Sequence, residues 1–169
     1  QYKSKKYLIF FSFEFEAFFD DELRASIEEQ TKEFIENGTF EENRKLGENE
    51  SKICHFIRND MVKDFIIFVN QTNLSLSSEI KCSIFETNPY LLGTTFSLIK
   101  YSAFFGSIQI FRYLIQNNVQ FNKSICYFSI HGKNPDIIHI LEENKIFENK
   151  NLFMECLIES IKCHHNDIA

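Results

Sequence analysis

Tryptophan is absent from the 169-residue sequence, and only two prolines and five glycines are present to break or turn the chain. Many-stranded sandwiches and barrels need frequent turn residues, so this scarcity disfavours them and points to helices joined by short polar loops. Basic residues are outnumbered: 18 Lys and Arg stand against 24 Asp and Glu, for a net charge of −6. Phosphate backbones are held by clustered Lys and Arg, so no nucleic-acid partner is expected. The apolar run 7–13, which follows Lys3-Ser4-Lys5-Lys6, is interrupted by Glu14 and Glu16. It is far short of the ~20 residues of a membrane span and lacks a signal-peptide cleavage site, so no membrane partner is expected. The five cysteines (Cys54, Cys82, Cys126, Cys156 and Cys163) are odd in number and contain no CxxC pair. Neither a disulfide framework nor a thiolate zinc site is expected of them, and the setting they imply is reducing and intracellular, cytoplasmic by expectation. The glycines never cluster into GxGxxG or GxxxxGK[ST], so no nucleotide cofactor is expected.

What is present suffices for a core: 44% of residues are hydrophobic and 15% aromatic, with 20 Phe, while 25% are charged. The acidic excess is N-terminal, because Glu14 to Glu50 holds 13 acidic and 4 basic residues. Within that segment Asp20 or Asp21 can cap a helix carrying Leu23, Ile27, Phe34 and Ile35 at helical spacing and closed by Gly38. A shorter helix from Phe40 to Leu46 ends at Gly47.

From Ser51 the pattern becomes one of paired helices. Ile53, Phe56 and Ile57 form one helix, Asn59-Asp60 the turn and cap, and Val62, Phe65, Ile66 and Val69 the next. Residues 71–95 read as a loop insertion with room for a brief strand pair, broken by Pro89 and Gly93. Pairing resumes with Leu98 to Phe105, Gly106-Ser107 as turn and cap, and Ile108 to Asn117. A shift of 27 residues then places Ile99 on Cys126, Ser102 on Ser129, Ile110 on Ile137 and Leu114 on Leu141, with Asn134-Pro135 as cap and first helical residue. Fixed-period helix pairs cannot bury their apolar faces alone, so they stack. Gln1 in place of Met, and Asp167-Ile168 where a new helix would start, lead us to expect a piece of a longer array cut within a repeat.

Ser97 to Asn122, SLIKYSAFFGSIQIFRYLIQNNVQFN, lies without gaps on the ankyrin pattern TPLHxAAxxGHxEIVxLLLxxGADVN. Ser102-Ala103 falls on the small pair, Gly106-Ser107 on the turn, Ile110-Phe111 and Leu114-Ile115 on the second-helix core, and Asn118 on the left-handed closing residue. The opening TPLH reads Ser97-Leu98-Ile99-Lys100, and the 27-residue spacing leaves little room for a projecting finger. With runs such as Cys54-His55-Phe56-Ile57-Arg58-Asn59-Asp60 and His131-Gly132-Lys133-Asn134, the chain resembles the divergent ankyrin-repeat proteins expanded in some unicellular eukaryotes. The resemblance implies an all-α, ankyrin-like helical-hairpin solenoid of degenerate repeats (51–70, 97–122, 124–149 and a truncated 152–169), preceded by an N-terminal helical cap over 1–50.

The resemblance also implies a non-catalytic scaffold or adaptor that binds an unknown protein partner. Binding is expected on the open face of the first helices, at Tyr101, Phe104, Phe105, Phe128 and His131, or at the 71–95 insertion. The alternatives are a structural spacer in a longer repeat protein, or an enzyme or metal-dependent regulator using Cys54/His55 or Cys163-His164-His165. Adjacent helical residues point about 100° apart and cannot all face one ion, so no metal is expected at the latter. Cys54-His55 lacks a third catalytic member, so no enzyme is expected there.

Overall fold

The computed structural model describes residues 9–92 and 95–165, and it is mostly helical with little strand. Gly93, the start of the 7–13 run and Asp167-Ile168 lie outside the described residues. The chain divides into two compact units, one of residues 1–50 and 81–95 and the other of residues 51–80 and 96–169.

In the first unit, short helical turns at Ser12–Phe15 and Glu16–Phe18 lead into α1 (Asp21–Glu36) and α2 (Phe40–Leu46). Asp20 caps α1 by accepting from Leu23 N at 2.8 Å, as a short carboxylate at an N-cap does. Gly47 ends α2 at φ +64. Both helices fall where the local signals predict them. Phe85 supplies the centre of this core: it is 1% exposed and packs edge-on against Phe34 and Phe40, with centroids 4.8 and 5.5 Å away. Its segment is tied down by Asn49 Nδ2 donating to Lys81 O at 2.9 Å and by Thr87, whose N and Oγ1 both donate to Gly47 O. The sequence assigns residues 71–95 to one loop of the array. Instead α4 (below) extends to Thr72, and residues 81–95, with buried Phe85, Leu91 and Leu92, belong to the N-terminal unit.

The second unit contains α3 (Lys52–Arg58), α4 (Val62–Thr72), β1 (Glu79–Ile80), β2 (Phe96–Ser97), α5 (Leu98–Phe104), α6 (Ile108–Gln116), α7 (Ile125–Gly132), α8 (Pro135–Glu143) and α9 (Lys150–Lys162). The strands pair antiparallel, Glu79 with Ser97 and Ile80 with Phe96, and bring the two ends of the 81–95 excursion together. Each first helix packs on the next, α3 on α5, α5 on α7 and α7 on α9, while α4 packs on α6 and α6 on α8. Ile57, Phe65, Ile99, Ile110, Phe111, Leu114, Ile125, Ile137 and Leu141 are completely buried between them.

The first-helix spacing is set by small residues. Ser102, Ser129 and Ser160 are at most 1% exposed, and each hydroxyl donates to the carbonyl three residues back, on Ile99, Cys126 and Leu157. A buried hydroxyl satisfied within its own helix costs little and lets the neighbouring helix approach.

Caps reach between hairpins. The sequence assigns Asn59-Asp60 to its own hairpin and Ser107 to α6, yet neither α4 nor α6 has a side-chain cap of its own. Asp60, at φ +50 in the α3–α4 turn, accepts instead from Gln109 N and Ile110 N of α6, both at 3.0 Å. Ser107 Oγ donates back to Ile57 O. One hairpin thus satisfies the free amides of the next and places a negative charge at the positive end of its second helix. Asn134 works both ways: Oδ1 caps α8, accepting from Asp136 N and Ile137 N, and Nδ2 donates to Gly106 O at 2.8 Å. Asp60→Gly keeps the positive φ unstrained and removes the carboxylate. It is expected to lower the urea-unfolding free energy by about 1–2 kcal/mol, with Asp60→Asn costing less because it retains an acceptor.

Candidate functional site

Of the candidate binding residues, Tyr101 and Phe104 are core rather than surface: they are 1% and 7% exposed. Tyr101 Oη accepts from Arg58 Nη1 at 3.0 Å, and the Tyr101 ring packs on Phe105 at 4.7 Å. Phe104 stacks on His131 with centroids 5.1 Å apart and planes at 28°, and it meets Phe105 and Phe128 edge-on at 5.2 and 6.4 Å. Phe128 in turn contacts Phe96 at 5.5 Å and lies under the Lys100 ammonium at 5.6 Å. Small residues account for this burial, because helices that approach this closely interleave the aromatics of one hairpin with those of the next. Phe105, Phe128 and His131 remain half-buried along the edge of this layer.

Cys54 and His55, adjacent in sequence, sit in different surroundings. Cys54 is completely buried, whereas His55 is exposed, its ring near Asn59 Nδ2. In the Cys163-His164-His165 run, α9 ends at Lys162 with Cys163 as its C-cap, His164 takes φ +57, and its side chain is exposed.

Cys163 joins a different group. Glu159 on α9 and Cys163 at its C-cap are one helical turn apart, so both face α7. There the His131 ring meets them, with Nε2 3.3 Å from Glu159 Oε1 and 4.0 Å from Cys163 Sγ, and Nδ1 3.5 Å from that sulfur. Burial holds the His131 imidazole below its ordinary basicity, Glu159 opposes that shift, and His165 adds to it. The Glu159-x-x-x-Cys163 spacing is the sequence signal that could have found half of this group; the distance to His131 hides the rest.

Beside it, Cys126 and Cys156 lie in a small apolar cluster with Ile130 and Leu152. The neighbouring Cys126 thiol, reinforced by burial, pushes the Cys156 thiol above its usual range. A cavity of about 100 Å³ between α7, α8 and α9 is lined by Ile130, Ile138, Phe147, Phe153 and Leu157. Among the described residues no helix is long and apolar enough to cross a membrane. Comparison of the chain with protein-family models, curated proteins and solved structures finds no match.

Proposed function

We propose that residues 51–80 and 96–165 are a short ankyrin-like solenoid of degenerate hairpins whose work is non-catalytic protein binding. Backbone periodicity supports the repeat reading. Positive φ recurs in the turns after the first helices, at Asp60, Gly106, Lys133 and His164, and again after the second helices, at Asn73, Asn118 and Lys145. The buried serines at 102, 129 and 160 keep the same register.

The observation that carries the binding reading is the half-buried aromatic edge at Phe105 and Phe128, bordered by Arg58 and Lys100. Aromatic rings beside guanidinium and ammonium groups are the side chains that anchor protein interfaces, apolar at the centre and charged at the rim. Such an edge fits an apolar segment flanked by carboxylates on another protein.

The test compares affinity capture from a native lysate by the unaltered chain and by Phe105→Ala/Phe128→Ala, at matched melting temperature. A partner held by the first and released about tenfold more weakly bound by the second supports the reading. Identical captures, or no partner at all, overturn it in favour of another face or a structural spacer.

A further inference from the structure

We propose that His131, Glu159 and Cys163 form a binding site for a single divalent cation of the zinc class, bridging α7 and α9. The three donors come from positions 28 and 32 residues apart in sequence, and one ligand atom from each lies within 4.8 Å of the other two. Tetrahedral zinc, with bonds of about 2.0 Å to nitrogen or oxygen and 2.3 Å to sulfur, needs donor atoms roughly 3.3–3.6 Å apart. His131 Nε2 and Glu159 Oε1 already meet that spacing at 3.3 Å, while Cys163 Sγ, 3.5 Å from Nδ1 and 4.0 Å from Nε2, lies beside the ring and must swing to the Glu159 side to complete the set.

The surroundings orient the histidine and the carboxylate. Stacking on Phe104 fixes the plane of the His131 ring. The Glu159 carboxylate presents Oε1 to the histidine while Oε2 is held 3.5 Å from Lys162 Nζ, an outer partner that orients a ligating group. The His131 and Glu159 side chains are 13% and 15% exposed, so the donors are shielded without being sealed from solvent. Three protein ligands leave one tetrahedral corner for water.

Donor chemistry selects the ion. A thiolate disfavours magnesium and calcium, which take oxygen ligands, and imidazole with thiolate and one carboxylate suits zinc or cobalt(II). On binding, the Cys163 thiol gives its proton to solvent and its sulfur forms a bond to the ion, while Nε2 and the ionised Glu159 supply electron pairs without further proton loss. The ion would tie the last described helix to the hairpin before it. This inference stands apart from the protein-binding reading, because it concerns the α7–α9 contact and needs no partner.

The test titrates the reduced full chain with cobalt(II) chloride and then with zinc chloride. Expected are one equivalent of cobalt, a sulfur-to-cobalt charge-transfer band with the intense visible bands of tetrahedral coordination, and displacement by zinc. Cys163→Ser is expected to abolish the charge-transfer band. His131→Gln and Glu159→Gln are expected to weaken cobalt binding by about tenfold or more. Glu159→Gln preserves size and shape, so it decides the matter even if another variant fails to fold. His164→Ala is expected to bind as the unaltered chain does. Absence of the band, its persistence in Cys163→Ser, undiminished affinity in Glu159→Gln, or loss on His164→Ala would each overturn the site.

Discussion

Gly132→Ala is expected to remove about 3 kcal/mol or more from the stability of the second unit, and to leave it unfolded if the starting margin is small. A β-carbon at this position would lie 2.0 Å from Ala103 O, 2.8 Å from Gly106 N and 3.1 Å from Gly106 Cα. All three are backbone atoms, so no side chain can swing aside to make room, and α5 and α7 must separate. Gly38→Ala provides the contrast: its β-carbon would meet nothing within 4 Å, but the residue sits at φ +68. That change carries only the strain of a left-handed alanine, about 1 kcal/mol. Guanidinium unfolding of both variants, with each unit followed through its own transition, checks the difference. Equal losses would mean that the two backbones do not approach this closely in solution.

Tyr101→Ala is expected to cost about 3–5 kcal/mol, the range for deleting a buried aromatic side chain whose cavity cannot collapse. Tyr101→Phe keeps the ring and removes only the oxygen that accepts from Arg58, so a loss nearer 1 kcal/mol is expected. Phe128→Ala, at the half-buried edge of the same aromatic layer, should fall well below the Tyr101→Ala value. Thermal and urea denaturation of the three variants rank these costs. The ranking matters for binding experiments, since a Tyr101 variant that fails to capture a partner reports lost folding rather than a lost contact.

Local chemistry made much of the helical layout legible. Asp20, Gly38, Gly47, Asn118 and the Asn134-Pro135 pair mark helix ends by their own conformational and capping preferences, and the helices begin and end beside them. Other features depend on residues that meet only after folding. The carboxylate of Asp60 looks like a cap for its own hairpin, and nothing in the neighbouring residues reveals that it serves Gln109 and Ile110. Helical spacing cannot tell an outward aromatic from one caught between two neighbouring helices, which is why Tyr101 and Phe104 read as surface. The grouping of His131 with Glu159 and Cys163 was hidden because the eye-catching Cys163-His164-His165 run is contiguous, whereas helical geometry favours donors one turn apart.

The passage of residues 81–95 into the N-terminal unit interleaves the two units along the chain. On a ribosome, residues 9–50 emerge before Phe85, the ring that fills the space between Phe34 and Phe40. The whole first hairpin, 51–80, must be synthesised before that ring arrives. Order of birth and order of completion therefore differ for these two units: α1 and α2 wait, apolar faces incompletely covered, while the later-made hairpin already has both of its helices in hand.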